Sequence, residues 1–137
     1  MKRTVTIVLC LIIELTAYSQ TDSIRGKKFQ LTGKMVEKVQ LTPPCGIIAW
    51  GTVVVFEVID LVGMKYPNKK LGIIITCPEF YHDQFFEKGK MYQIVFSDLN
   101  QASFGWLIPN RDLLKRNVLS FEPYAVSVKK CGNKQIL

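Results

Sequence analysis

The sequence predicts an all-β protein with minor helix, a small OB-like barrel of five or six strands. Segments with apolar residues at every second position, or with unbroken β-branched and aromatic runs, alternate with segments rich in Gly, Pro, Asn and Lys. This alternation is typical of strands and turns. A short aromatic segment falls between the third and fourth strands, where an OB-like barrel carries its helix. The alternative left open is a small sandwich with a similar number of strands.

The first strand is predicted over residues 29–41, where apolar residues of one parity alternate with lysine and glutamine. Gly33, in the middle of this run, predicts a bulge or a sharp bend. Pro43 and Pro44 end the strand because proline has a fixed φ and no backbone N–H. We therefore expect a constrained corner before the next strand.

The second strand is predicted over residues 47–62 and is apolar on both parities. Such a strand is covered on both sides, or is coiled so that its two halves contribute to different parts of the core. We interpret it as the central strand of the barrel. Glu57 and Asp60 interrupt it on opposite parities, which predicts either a bulge between them or a position at the rim. Residues 63–70 predict a hairpin loop, and residues 71–77 return as the third strand.

A short helix is predicted over residues 79–87, between the third and fourth strands. Its aromatic residues recur at spacings of four and five, which suits one or two helical turns with a single aromatic face. That face is expected to plug an open end of the sheet. The aromatic residues are Phe80, Tyr81, Phe85 and Phe86.

Two or three further strands complete the predicted barrel. They cover residues 91–97, 103–108 and 124–129, and the last directs Tyr124, Val126 and Val128 inward. Asn110 is expected to cap a short helix over residues 111–116.

Residues 1–19 predict a signal peptide. A short basic start is followed by an apolar run over residues 5–13 and by small residues at the positions that a signal peptidase reads. The run is shorter than the roughly 20 apolar residues that span a bilayer, and no other segment predicts a transmembrane helix. We expect an exported protein, periplasmic or secreted, cleaved near Ser19–Gln20. Residues 20–137 then form one β-barrel domain.

Three cysteines follow Ser19, and an oxidising compartment favours pairing two of them. Cys45 precedes a predicted strand and Cys131 follows the last one, so both lie at element ends. We predict a disulfide between Cys45 and Cys131. Cys77 ends an apolar run and is interpreted as a small buried residue.

The chain is basic, with 18 Lys and Arg against 11 Asp and Glu. Removing Lys2, Arg3 and Glu14 with the signal peptide leaves 16 and 10, a net charge of +6. The basic residues flank predicted turns, as solvated loops do, or form a patch for an anionic glycan, an anionic lipid surface or an acidic protein. The export signal disfavours nucleic acid, and the sequence sets no oligomeric state.

Aromatic residues beside lysines or next to a polar turn are the predicted ligand contacts, on the loops of an OB-like barrel. These contacts are Lys65, Tyr66, Lys69, Lys70, Phe104 and Trp106. The alternative interpretation places the large aromatic residues in the core. It applies to Trp50, Phe56, Phe96 and Trp106.

No catalytic residue, cofactor site or metal site is predicted. The sequence lacks the nucleophile-elbow, phosphate-loop and dinucleotide patterns. His82, the sole histidine, would have to meet Cys77 to form a thiol enzyme. A zinc site would need His82 with the three cysteines, but no two of these ligands lie at the short spacing that zinc sites use. The sequence favours an exported, non-enzymatic binding or interaction domain.

Residues 53–96 carry a long strand, a lysine-rich hairpin, the strand IIITC and then FFEKGKMYQIVFSD. This stretch, about a third of the chain after Ser19, resembles the netrin-type module of tissue inhibitors of metalloproteinases. The resemblance implies an OB-type barrel and, as an alternative function, a protease-inhibitor-like module. Those inhibitors place an N-terminal cysteine on the enzyme's metal, whereas Gln20 begins this chain after cleavage, so no inhibitory residue is carried over. The segments TPPCGIIAWG and CPEF are also similar to small exported bacterial proteins without an assigned function.

Overall fold

The computed structural model describes residues 26–132 as a closed five-stranded barrel. Its strands are β1 (Lys28–Met35), β2 (Gly51–Val62), β3 (Lys70–Thr76), β4 (Met91–Ser97) and β5 (Tyr124–Lys130). Around the barrel they follow the order β1-β2-β3-β5-β4, and β4 pairs with β1 to close it. All pairings are antiparallel except β3 with β5, which meet in parallel at the single pair Ile74–Tyr124. The predicted small all-β barrel is confirmed, and the sandwich alternative is wrong.

The predicted signal peptide, residues 1–19, lies outside the described residues. Within residues 26–132, no helix has the length and apolar character needed to cross a membrane.

The main core fills the barrel interior, and a smaller one lies outside it. The largest fully buried hydrophobic side chains inside are Leu31, Met35, Val54, Phe56, Leu71, Ile73, Ile75, Tyr92, Ile94 and Phe96. Val53 and Ile74 face outward from β2 and β3 and pack with Ile108 in the second core. The prediction that β2 is covered on both faces is therefore confirmed for residues 51–56, whereas Ile59 and Val62 in its second half are 59% and 56% exposed.

The predicted bulge at Gly33 is confirmed, with the extra residue on β2. The β1–β2 register shifts between Thr32 and Gly33 and skips Ile59. The shift brings Glu57 and Asp60 to the same face, which resolves their conflict in parity. A side chain at Gly33 would place its Cβ 2.9 Å from the carbonyl oxygen of Glu57, so only glycine fits this close approach.

Two predicted strands differ from the structure. The strand over residues 29–41 ends at Met35, because the chain leaves the barrel there. Residues 103–108 form no strand, and only one parallel bridge joins Leu107 to Trp50. The barrel closes without this segment, which meets only the free edge next to the start of β2.

The predicted helix over residues 79–87 is wrong. Only a three-residue 3₁₀ turn, Pro78–Phe80, forms there. Cys77 and Gln84 have left-handed φ values of 43° and 59°. A right-handed helix therefore cannot extend back through Cys77 or continue through Gln84. Phe80 is 80% exposed and takes no part in the plug.

The rest of the aromatic plug is present without a helix. Tyr81, Phe85 and Phe86 pack against the main core, and the rings of Phe85 and Phe86 lie 5.9 and 6.0 Å from that of Tyr92. The Tyr92 hydroxyl donates to the Phe85 carbonyl at 2.7 Å and accepts from the Glu87 N–H at 2.7 Å. One buried tyrosine therefore fixes the irregular loop that closes this end.

A second bulge changes the inward face of β5. The β4–β5 register shifts between Val95 and Phe96, and Val126 is the residue that it skips. Val128 is buried as predicted, whereas Val126 is 42% exposed. Tyr124 packs against the outer core instead of the barrel interior.

Residues 108–117, which we call the clasp, cross the outer face of β2 and β3. The clasp contains the 3₁₀ helix Arg111–Arg116, where a short helix is predicted. Its apolar side chains bury the outward faces of Val53 and Ile74. These side chains are Ile108, Leu113 and Leu114.

Two asparagine side chains join the clasp to both strands. Asn110 accepts from the Val53 N–H at 2.8 Å and donates to the Val53 carbonyl at 2.9 Å, on the edge that β1 leaves free beyond Met35. Its predicted role as a helix cap is wrong, because its side chain makes no capping bond. Asn117 accepts from the Gly72 N–H at 2.8 Å and donates to the Gly72 carbonyl at 2.9 Å, on the β5 side of β3.

The predicted Cys45–Cys131 disulfide is wrong, because Cys45 is bonded to Cys77, with the two Cα atoms 5.5 Å apart. Cys77 follows β3, and its N–H donates to the Trp50 carbonyl at 2.9 Å. The β2–β3 pairing thus carries Cys77 to the corner that contains Cys45. Cys131 is the free cysteine of the described residues, and its N–H donates to the Met91 carbonyl at the start of β4.

We predict that Asn110→Ala lowers the free energy of unfolding by about 2–4 kcal/mol, because it leaves a buried N–H and a buried carbonyl of Val53 without partners. Ser120→Ala, in an exposed loop, is the control and should change stability by less than about 0.5 kcal/mol. Urea unfolding measures both. Equal stability of the two variants would contradict the role of Asn110.

The disulfide gives a second stability prediction. Replacing Cys45 and Cys77 together by alanine should lower the free energy of unfolding by about 3–4 kcal/mol, because the sequence separation of 32 sets the loop that the bond closes. Cys131→Ala is the control and should have a small effect. Mass mapping without reductant that found Cys131 linked to either other cysteine would contradict the assignment.

Candidate functional site

A cavity of about 470 Å³ opens between the β2–β3 loop and the clasp. We call it the basic groove. Its lining consists of Val55, Pro67, Asn68, Lys69, Lys70, Gly72, Leu113, Arg116 and Asn117. The volume lies in the range of about 300–1,000 Å³ that is typical of small-ligand sites.

The β2–β3 loop supplies one wall of the groove. Lys69 and Lys70, two predicted ligand contacts, are exposed and line it. Tyr66 lies beneath them: its ring packs on the main core and its hydroxyl donates to the Lys70 carbonyl at 2.8 Å. Burial raises the pKa of Tyr66. Tyr66 therefore anchors the loop, and Lys65 is exposed outside the groove lining.

The clasp supplies the other wall. Arg116 donates to the Glu37 carboxylate at 2.9 Å, and 63% of its side chain is exposed. An exposed pair of this kind contributes at most about 1 kcal/mol, so an anionic ligand can compete for Arg116 at little cost. Asn117 is fully engaged with Gly72 and holds this wall in place.

The groove has the chemistry of an anion site with an apolar floor. Three cationic side chains line it, and no carboxylate is among the described residues of the lining. Val55, Pro67 and Leu113 supply aliphatic surface between them. A compact ligand that carries an acidic group fits both features, because charge-assisted hydrogen bonds hold the acid while the floor packs on its body.

The other two predicted contacts lie apart from the groove. Phe104 is 53% exposed and its ring lies 5.0 Å from that of Trp106. Trp106 donates from Nε1 to the Asn100 side-chain oxygen at 2.9 Å and packs against the outer core. The core interpretation thus holds in part for Trp106, and neither ring lines the groove.

The clasp limits the open surface on one side of the barrel. It covers part of the outer face of β2 and β3, and the groove is the space left between the clasp and the β2–β3 loop. Sequence reasoning missed Arg116, because no spacing pattern relates it to lysines more than 45 residues earlier.

Cys77 and His82 do not form the thiol–imidazole pair that a thiol enzyme would need. The Cys77 sulfur is bonded to Cys45 and offers no thiolate. His82 is exposed and its Nδ1 lies 2.9 Å from the Asp83 carbonyl oxygen. Glu79 lies within 4.8 Å of both sulfurs, but its carboxylate accepts from the Cys45 N–H at 2.5 Å, and bonded sulfurs are not metal ligands.

Comparisons of the chain with protein-family models, with curated proteins and with solved structures find no match.

We predict that Gly72→Ala loosens the clasp. The new Cβ would lie 2.9 Å from Cγ1 of Val53, so the packing must shift, at a cost of about 1–3 kcal/mol in the free energy of unfolding. Gly105→Ala meets no atom within 4 Å and serves as the control. Thermal unfolding compares the two, and an unchanged Gly72→Ala protein would show that Val53 can move on the outer face without loss of packing.

Proposed function

We propose that the protein is an exported, non-enzymatic binding domain on an OB-like barrel, and that its basic groove holds an acidic group of the partner. The observation that carries the proposal is the groove itself, whose lining combines the cations Lys69, Lys70 and Arg116 with aliphatic side chains. The disulfide between Cys45 and Cys77 is compatible with an oxidising compartment, which supports export.

The charge arrangement suits recognition of an anion. Lys69 ends the β2–β3 loop and Lys70 begins β3, and both are exposed, so they reach a ligand without losing existing partners. Arg116 adds a planar fork that binds carboxylate or sulfate through two parallel hydrogen bonds. The excess of basic over acidic residues across the chain attracts an acidic partner from a distance.

An anionic glycan fits the groove best among the acidic partners. A sugar acid presents a charged group and an apolar C–H face on one compact ring, which matches the cations and the floor of Val55, Pro67 and Leu113. An acidic protein segment or an anionic lipid surface are the other partners with the required charge. The predicted export signal disfavours nucleic acid.

Binding to a sulfated heparin oligosaccharide tests the proposal. Lys69→Gln with Lys70→Gln should weaken binding about five- to tenfold, because two charge-assisted contacts are lost. Lys88→Gln with Lys129→Gln removes the same charge from exposed positions outside the groove lining and should change the dissociation constant less than about twofold. Fluorescence anisotropy at low salt gives the constants.

Two outcomes would contradict the proposal. Equal weakening by both double variants would mean that the groove has no special role and that net charge alone attracts the glycan. Absence of binding to the oligosaccharide, to an acidic peptide and to anionic vesicles would remove the groove as a binding site. Unchanged activity of metalloproteases and cysteine proteases in the presence of the protein would remove the inhibitor-like alternative.

A further inference from the structure

The clasp carries two arginines, and they are held in different ways. Arg111 donates from Nη1 to both carboxylate oxygens of Glu122, at 2.5 and 2.6 Å, and from Nη2 to the Trp106 carbonyl at 3.1 Å. Within residues 26–132, Arg116 donates a single hydrogen bond, from Nη1 to the Glu37 carboxylate at 2.9 Å. Arg111 is therefore fixed by several acceptors, whereas Arg116 depends on one exposed contact that a ligand can exchange.

Arg116, with the exchangeable contact, is the arginine that lines the basic groove. Its partner Glu37 follows Val36, whose N–H donates to the Val55 carbonyl at 3.1 Å, and Val55 belongs to the groove lining. This backbone hydrogen bond holds the chain beside the groove after it leaves β1. Glu37 therefore meets Arg116 at the edge of the groove, although the two residues are 79 positions apart in sequence.

The cations of the groove differ in whether they already have an acidic partner. Three ion pairs form within the described residues, and only that of Arg116 with Glu37 involves a residue of the groove lining. Lys69 and Lys70 take part in none of the three. One carboxylate of the protein itself thus occupies a donor that an acidic ligand needs.

We propose that Glu37 is an internal competitor for the acidic group of the ligand. It binds Arg116 in the free protein, and the ligand replaces it. The inference rests on the anion-binding function proposed for the groove. The exchange favours the ligand, because a carboxylate or sulfate accepts two hydrogen bonds from one guanidinium and is also attracted by Lys69 and Lys70. Glu37 gives up one hydrogen bond, and its side chain, already 33% exposed, regains water.

The competition makes Glu37 a specificity-determining residue. A ligand that offers Arg116 only one hydrogen bond gains nothing over Glu37, because it replaces one contact with an equal one. A ligand whose acid takes two bonds from Arg116, and which reaches a lysine as well, gains on both counts. Glu37 thus discriminates against weakly charged ligands by a built-in competing charge, at the cost of some affinity for strongly acidic ones.

Binding of the sulfated heparin oligosaccharide to Glu37→Gln, measured by fluorescence anisotropy, tests the inference. The variant should bind about two- to fivefold more tightly than the wild type, because no internal carboxylate has to be displaced. Asp112→Asn removes the same charge from an exposed clasp residue outside the groove lining and is the matched control. In about 0.15 M salt, which screens general charge effects, the control should change the dissociation constant less than about 1.5-fold.

A double-mutant cycle and an NMR signal show whether the effect passes through Arg116. In an Arg116→Gln background, Glu37→Gln should change the affinity no more than Asp112→Asn does. The NMR shift of the Glu37 carboxyl carbon reports its contact with the guanidinium. On saturation of the wild type with the oligosaccharide, this shift should move to the value that it has in free Arg116→Gln. Circular dichroism checks that each variant folds.

Two results would overturn the inference and leave the proposed function standing. The first is a Glu37→Gln variant that binds no better than Asp112→Asn, although the double variant of Lys69 and Lys70 binds weakly. Weaker binding by Glu37→Gln than by the wild type would likewise show that Glu37 orients Arg116 for the ligand. The second is a Glu37 shift that stays unchanged at saturation. A wild type that binds no oligosaccharide, acidic peptide or anionic vesicle would remove both the proposed function and the inference.

Discussion

The outer face of β2 and β3 depends on two asparagine side chains that take the place of missing strand partners. β1 pairs with β2 only as far as Met35, and β5 meets β3 at a single pair, so backbone groups of Val53 and Gly72 lack partners in the sheet. Asn110 and Asn117 each satisfy one N–H and one carbonyl there. Unpaired buried groups are costly, so the clasp between the asparagines is fixed by the strands that it covers.

Fixing the clasp shapes the surface beside it. The outer face of β2 and β3 is partly covered by the clasp, and the cavity that remains lies beside Arg116. The same cavity is lined by Lys69 and Lys70, so a clasp arginine and two lysines share one lining.

Much of the fold is predictable from the alternation of apolar and polar residues, because the burial of one strand face imposes this alternation on the sequence. The bulge next to Gly33 follows from the opposite parities of Glu57 and Asp60. The Cys45–Cys77 bond could also have been predicted, because an antiparallel β2–β3 pair brings the start of β2 next to the end of β3. The contacts of Asn110 with Val53 and of Arg116 with Glu37 could not be predicted, because these residues are far apart in sequence and no spacing pattern links them.

Amide hydrogen exchange at Val53 and Gly72, followed by NMR, tests the clasp most directly. If the asparagine side chains hold these groups, both amides should exchange within about tenfold of Ile94, in the middle of β4. Exchange as fast as that of Gly105, in an exposed loop, would mean that the clasp opens readily. The β2–β3 face would then be available to ligands, and the groove would not be the fixed site described above.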